Sequence, residues 1–234
     1  MLSQIFVAAL IYPAADWMDF SGPLEVYQSA GYNSTQRPFN LTTFSLHSPV
    51  SASSTGDLTF VPDLTFAEAS EQLSSFDILI IPGANVDKID GLLATDEGTK
   101  IKGMIKEFSQ LPPRNETRRR ILQSTCTGAL ILAASDVLRN RTATTHHWFY
   151  DQLTVYADKA AGGPSGINAV KKRWAYGGKT EGNVEIVTAG GVSSGIDTSL
   201  FITEMLLGKE VAEWASETME FERRPEDAPW GSNN

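Results

Sequence analysis

The stretch Ile121-Leu122-Gln123-Ser124-Thr125-Cys126-Thr127-Gly128-Ala129-Leu130-Ile131-Leu132-Ala133-Ala134 decides how the chain is read. Ile121–Thr125 has the make-up of a strand buried within a sheet. Ala129–Ala134 is apolar on every side, which predicts a helix lying deep in the domain. Only Cys126-Thr127-Gly128 is left between them to turn the chain. A sharp strand–turn–helix junction presents one side chain at the top edge of a sheet, as a nucleophile elbow does.

The same alternation continues in both directions. Ile5–Tyr12 is a continuous apolar run ending at Pro13, as expected of a strand covered on both faces of a parallel sheet. Asp19-Phe20-Ser21-Gly22-Pro23 follows, and Pro23 with Gly31 brackets a helix of about two to three turns. Leu41–Leu46 reads as a short strand. Val50–Pro62, rich in Ser and Thr around Thr55-Gly56-Asp57, reads as a hairpin or edge excursion. Phe76–Ile81 is a buried strand stopped by Pro82-Gly83-Ala84, with a helix from Glu97 to Phe108. Leu111–Arg120 is a loop whose Arg118-Arg119-Arg120 triplet reads as a solvated face. Trp148–Tyr156 is helical, and Asn168–Trp174 and Val184–Thr188 are strands around Gly177-Gly178. Helices over Ser199–Leu207 and Val211–Phe221 precede an extended tail, 223–234.

With no linker and no internal repeat, residues 1–222 form a single α/β domain. Its sheet is doubly wound and mostly parallel, with helices on both faces. Ligands of such sheets bind outside the carboxyl ends of the strands. That singles out Pro13–Gly22, Pro82–Asn85 and Cys126–Gly128.

Composition narrows the function. At 234 residues and 41% hydrophobic content, the chain buries roughly 70% of its extended surface without a disulfide or metal staple. A formal net charge of −9 and a pI of about 4.8 argue against an electrostatic nucleic-acid binder. Mean hydropathy is −0.16, and no apolar run approaches the roughly 18 residues that span a bilayer, so no membrane partner is expected. The lone Cys126 and three histidines, His47, His146 and His147, exclude a Cys/His zinc site. No phosphate-cradling or dinucleotide motif occurs, so no cofactor and no metal are expected. The N-terminal apolar run has no basic residue before it and reads as a strand, not a signal peptide. A cytoplasmic location follows, in which the sequons at Asn33, Asn40, Asn115 and Asn140 stay unmodified.

A lone cysteine is ordinarily a small core hydrophobe. At the start of a helix it also meets unpaired N–H groups and the positive dipole end, which favour the reactive thiolate. Backbone donors for a developing charge are expected at Thr127 and at Gly83-Ala84. Residue 127 is Thr, so Cys126 has no adjacent His as partner. Thr145 and His146 are candidate pocket residues, though a histidine there serves packing as readily as proton transfer. Asp19 stands at a helix start, where capping and catalysis compete for the same oxygens. Trp148, Trp174, Trp214 and Trp230 read as packing, pocket wall or dimer seam.

Four segments resemble the DJ-1/PfpI superfamily, and within it the isonitrile hydratase-like branch. They are Asp19 to Val26, Asp77 to Gly83, Cys126 through Leu138-Arg139 to His146, and Thr188-Ala189-Gly190-Gly191-Val192-Ser193-Ser194-Gly195-Ile196-Asp197. The resemblance implies a flavodoxin-like sandwich, a homodimer, and Cys126 as nucleophile. It implies Asp19 as the acid that hydrogen-bonds the thiol, with Thr127 following the cysteine. Ala84 stands where the branch has a second Gly, and Lys159–Gly182 is long and Gly-rich enough to reshape a substrate entrance. Thr127 argues against the protease-like and amidotransferase-like members, which carry His there. The implied activity is hydration of an isonitrile to an N-substituted formamide through a thioimidate. The alternatives are glyoxalase-type conversion of methylglyoxal to lactate and a cysteine redox sensor. An interaction domain of the kind joined to helix-turn-helix modules is a weaker option, for want of length and basic residues.

Overall fold

The computed structural model describes residues 4–31 and 37–231. The sequon at Asn33 and the last three residues of the tail lie outside them.

The central sheet is built from β1 (Ile5–Ile11), β2 (Phe39–Ser45), β5 (Leu64–Thr65), β6 (Ile78–Ile81), β7 (Ile121–Ser124), β10 (Trp174–Lys179) and β11 (Glu185–Ala189). Its order is β10-β11-β7-β6-β1-β2-β5, parallel throughout except for β10 against β11. Two-residue ribbons join β3 (Val50–Ser51) to β4 (Thr59–Phe60), antiparallel, and β8 (Thr142–Ala143) to β9 (Asn168–Ala169), parallel. Of the helices, α1 (Trp17–Ser29), α7 (Ser194–Leu207) and α8 (Lys209–Thr218) pack together. On the other face lie α3 (Val86–Leu93), α4 (Asp96–Phe108), α5 (Gly128–Ala134) and α6 (Tyr150–Ala161), with α2 (Phe66–Glu71) beside the edge strand β5. The expected doubly wound architecture is therefore present.

The three central strands carry little but Ile, Val, Leu and Ala because both of their faces are covered. All four residues of β6 and of β7 are buried. Of the two buried polar residues of β7, Gln123 and Ser124, Gln123 has both ends of its amide satisfied. It accepts from Tyr27 Oη on α1 (2.6 Å), and its Nε2 donates to Ser199 Oγ on α7 (2.8 Å). A buried polar group satisfied at both ends costs little and fixes the helices against one strand.

From β1 the chain winds outward to β2 and β5, then returns to lay β6, β7 and β11 on the other side. The direction reverses between β1 and β6, so the crevice at their carboxyl ends is the topological switch point. The loops there are joined backbone to backbone, with the Asp16 N–H donating to the Gly83 carbonyl at 2.8 Å.

Several local expectations need correction. The first helix starts at Trp17, not near Pro23, because Asp16 takes the cap by accepting from Met18 N at 3.1 Å. Pro23 sits inside the helix, where it has no N–H to offer the carbonyl of Asp19. Gly177-Gly178 do not form the turn between two strands. They lie within β10, at a register shift where Gly178 adopts φ +76°, as a β-bulge requires. The Asn168–Trp174 segment accordingly contributes only β9 and the first residue of β10. The arginine triplet is only partly a solvated face, with Arg118 exposed and Arg119 half-buried. Arg120 is 1% exposed, and its guanidinium donates to the carbonyls of Leu73, Ser74, Phe76 and Pro112. The segment 64–75, unassigned from sequence, forms β5, α2 and a 3-10 turn. Its signal was the Thr65/Glu68 capping box.

Candidate functional site

Cys126 occupies the turn between β7 and α5 with φ +55°. A left-handed backbone at a non-glycine residue is uncommon and is held only where its surroundings over-determine it. Here the Cys126 N–H donates to the Gly190 carbonyl (2.8 Å), and the Cys126 carbonyl accepts from Thr145 Oγ1 (2.9 Å). Thr145 thus supports the elbow from behind and is not among the residues of the cleft wall. The glycines around the turn are there for close approach. A Cβ on Gly128 would stand 2.3 Å from the Ile81 carbonyl oxygen, and one on Gly83 would stand 2.4 Å from Thr127 Oγ1 and 2.7 Å from Thr127 N. Gly83→Ala is therefore expected to force the β6 loop off the start of α5. We expect a loss of about 1–3 kcal/mol of stability, the usual cost of overpacking, read as a lower urea midpoint.

Cys126 is 8% exposed and lies in the wall of a cleft of about 470 Å³ at the switch point. Thr127, Ala84, Trp17, His146 and Trp148 share that wall. None of residues 159–182 belongs to it, while Lys172 and Arg173 of that long segment line an adjoining cavity that shares His146, Trp148 and Val192 with it.

Asp19 projects from α1 and is fully buried. Its Oδ2 accepts from the Gly83 N–H at 2.8 Å, while Oδ1 has no hydrogen-bond partner. Because Asp16 caps the helix, Asp19 is released from the capping role that competed for its oxygens. Burial first, and the Asp16 carboxylate second, push the Asp19 carboxyl well above the usual carboxylate range, against the opposing Gly83 hydrogen bond. Burial, then the Asp19 charge, pushes the Cys126 thiol well up too, and the Thr127 amide and hydroxyl pull it back more weakly. This reverses the expectation of a thiolate favoured by the helix start. The helix effect is a fraction of a charge at a wet terminus, whereas desolvation beside a carboxyl opposes ionisation directly. Tyr12 belongs to the same buried group. Its hydroxyl donates to the Pro82 carbonyl at 2.9 Å, and burial followed by Asp19 and Cys126 raises its pKa. Neither Asp16 nor Tyr12 was singled out from sequence, although Asp16 lies one helical turn before Asp19.

The expected backbone donors are differently employed. Gly83 N–H serves Asp19, and Ala84 N–H donates to Thr127 Oγ1 (2.9 Å), which returns a hydrogen bond to the Ala84 carbonyl (2.6 Å). Both amides are committed within the protein, so neither points unpaired into the cleft. The Thr127 amide remains as the donor toward the sulfur. His146 reaches the cleft wall, but its Nδ1 accepts from the Trp148 amide (3.3 Å). Burial, with His147 beside it, lowers its pKa. Among the described residues no group of His, Cys, Asp and Glu could hold a metal ion, and no helix is long and apolar enough to cross a membrane.

Comparison with known proteins bears on the family and the fold. The DJ-1/PfpI family profile matches residues 6–205. An isonitrile hydratase of Pseudomonas putida is 28% identical over 226 residues, covering 94% of this chain and 79% of that protein. Among solved structures, a THiJ/PfpI family protein from Pseudomonas syringae superposes with a TM-score of 0.70 at 20% identity, over 100% of this chain and 80% of its own. Oxidised DJ-1 from Toxoplasma gondii gives 0.68 at 16% identity, over 93% and 98% of the two chains.

Proposed function

The chain belongs to the DJ-1/PfpI family, and from that premise we propose that it is a cysteine-dependent enzyme that adds water to isonitriles. The observation that carries this reading is a cleft-wall Cys126 within electrostatic reach of a buried Asp19 whose second oxygen has no partner, the hydrogen bond to the thiol that the resemblance implies not being formed. The thiol adds to the terminal isonitrile carbon. Sulfur and a proton both end on that carbon, giving a thioimidate, Cys–S–CH=N–R. Asp19, held protonated by its surroundings, is the proton source and takes back the thiol proton. Water then adds across C=N. The C–S bond breaks, releasing R–NH–CHO and restoring the thiol. Cysteine suits both halves because it attacks well and leaves well.

The commitment of the Gly83 and Ala84 amides favours this chemistry over the aldehyde alternative. Attack on methylglyoxal develops an alkoxide that needs unpaired donors. Attack on an isonitrile develops charge on carbon, which a proton quenches. Aldehyde rearrangement also needs a base that moves a proton between carbons, and His146 already accepts a hydrogen bond at Nδ1. The similarity to an isonitrile hydratase supports the same reading. On the sequence reading alone, we further propose a cytoplasmic homodimer acting on a small molecule.

Incubation with cyclohexyl or phenyl isocyanide in ¹⁸O-water is expected to give the formamide carrying one heavy oxygen. Lactate from methylglyoxal, with no formamide, would transfer the site to glyoxalase chemistry. Peroxide modification of Cys126 with neither product would leave a redox sensor.

A further inference from the structure

The cleft wall around Cys126 combines two chemistries. Part of it is aromatic, with Trp17, Trp148 and Phe149. Trp17 and Trp148 are 46% and 72% exposed, so their rings are open to an incoming molecule. The same wall carries two carboxylates, Asp16 and Asp57. Among the described residues no lysine or arginine lines the cleft. His146 brings no positive charge, since its Nδ1 is an acceptor and burial disfavours its protonated form. Both charged side chains in this wall are negative, Lys172 and Arg173 lining instead the adjoining cavity that shares His146, Trp148 and Val192, and the chain as a whole carries −9. A concave site walled by one sign of charge concentrates ligands of the opposite sign and excludes its own. The aromatic faces add to this, since they attract cations and offer nothing to an anion.

We propose that this cleft selects by charge, admitting neutral and cationic isonitriles and excluding those that bear a carboxylate or phosphate, with Asp57 as the residue that sets the rule. The naming of isonitriles rests on the hydratase reading; the charge selection does not. Asp57 is the residue to vary because it sits on the exposed β3–β4 loop, held by its backbone N–H to Ser53 Oγ at 3.0 Å. Asp16, by contrast, caps α1.

Cys126 is the sole thiol, so alkylation reads the cleft without requiring turnover. The rate ratio of neutral iodoacetamide to anionic iodoacetate, divided by the ratio for free cysteine at the same pH, is expected to be about tenfold at low ionic strength and to shrink with salt. Asp57→Lys is expected to remove most of that preference. Glu107→Lys makes the same change in net charge on an exposed residue at the far end of α4, and is expected to keep it. In parallel, para-methylphenyl isocyanide should be hydrated at least about tenfold faster in kcat/KM than the para-carboxylate, with Asp57→Lys narrowing the gap. A ratio equal to that of free cysteine, or one that Asp57→Lys and Glu107→Lys change alike, overturns the proposal. If no isonitrile is hydrated while the alkylation ratio still responds to Asp57→Lys alone, charge selection stands and the hydratase reading fails.

Discussion

Cys126→Ala is expected to reduce formamide production by at least about a thousandfold, the scale seen when an enzyme loses its nucleophile, while the protein stays folded. The separation of the two effects follows from where the residue's interactions lie. The elbow is held through backbone atoms, Cys126 N to the Gly190 carbonyl and the Cys126 carbonyl to Thr145 Oγ1. Alanine keeps both. It has the same Cβ as cysteine, so it meets the same cost at φ +55°. What is lost is one sulfur at the cleft wall, worth about 1 kcal/mol of packing. Thermal melting within a few degrees of wild type, together with lost hydration of a simple aryl isocyanide, is the expected pair of results. Cys126→Ser should be equally inactive, because a buried hydroxyl beside a carboxyl ionises far less readily than a thiol. Full activity in Cys126→Ala would remove the sulfur from the mechanism.

The features legible in the sequence were those fixed by near neighbours. β1 and β6 announced themselves because burial on both faces leaves little room for polar residues, and β7 through its Ile121-Leu122 start and the apolar helix that follows it. The elbow at Cys126 was legible because strand, turn and helix follow one another within a few positions. The errors arose where distant residues decide. Pro23 resembled a first-turn proline until Asp16 was seen to hold the cap seven positions earlier. Arg120 looked solvated because nothing near it in sequence reveals the carbonyls of Leu73, Ser74 and Phe76, brought to it by the sheet.

The site divides along the same line. Cys126 could be singled out from its own surroundings, whereas Asp19 stood out only through resemblance, since local rules make an Asp at a helix start a cap. The sequence could not reveal that the Gly83 amide binds Asp19 across 64 residues and the Ala84 amide binds Thr127 across 43. The direction of the thiol's ionisation was also misread, because a helix start is visible in sequence and the burial of a carboxyl beside it is not.

Asp19→Asn is expected to move two measurements in opposite directions. Hydration should fall about 10²–10⁴-fold, the range for loss of a positioned general acid, because an amide has no proton to give to carbon. Alkylation of Cys126 by iodoacetamide should become faster as pH rises into the range where wild-type Asp19 ionises, because the charge that then holds the thiol's pKa up is gone. Asparagine keeps an oxygen for the Gly83 N–H, so the β6 loop retains its anchor. Stability gives a third readout with a definite sign. The folded-state pKa of Asp19 lies above its unfolded value, so the folded protein holds this proton more tightly. The resulting stabilisation is complete below the ordinary carboxylate range and declines as pH rises toward the folded pKa, by up to about 1.4 kcal/mol per pH unit. The asparagine side chain does not titrate, so the melting temperature of Asp19→Asn relative to wild type should climb from pH 4 to pH 8. Slower alkylation in the variant would mean that Asp19 promotes ionisation of the thiol instead of opposing it. Asp19 would then act as a base toward the thiol, and the proton delivered to carbon would be the one the thiol had given up.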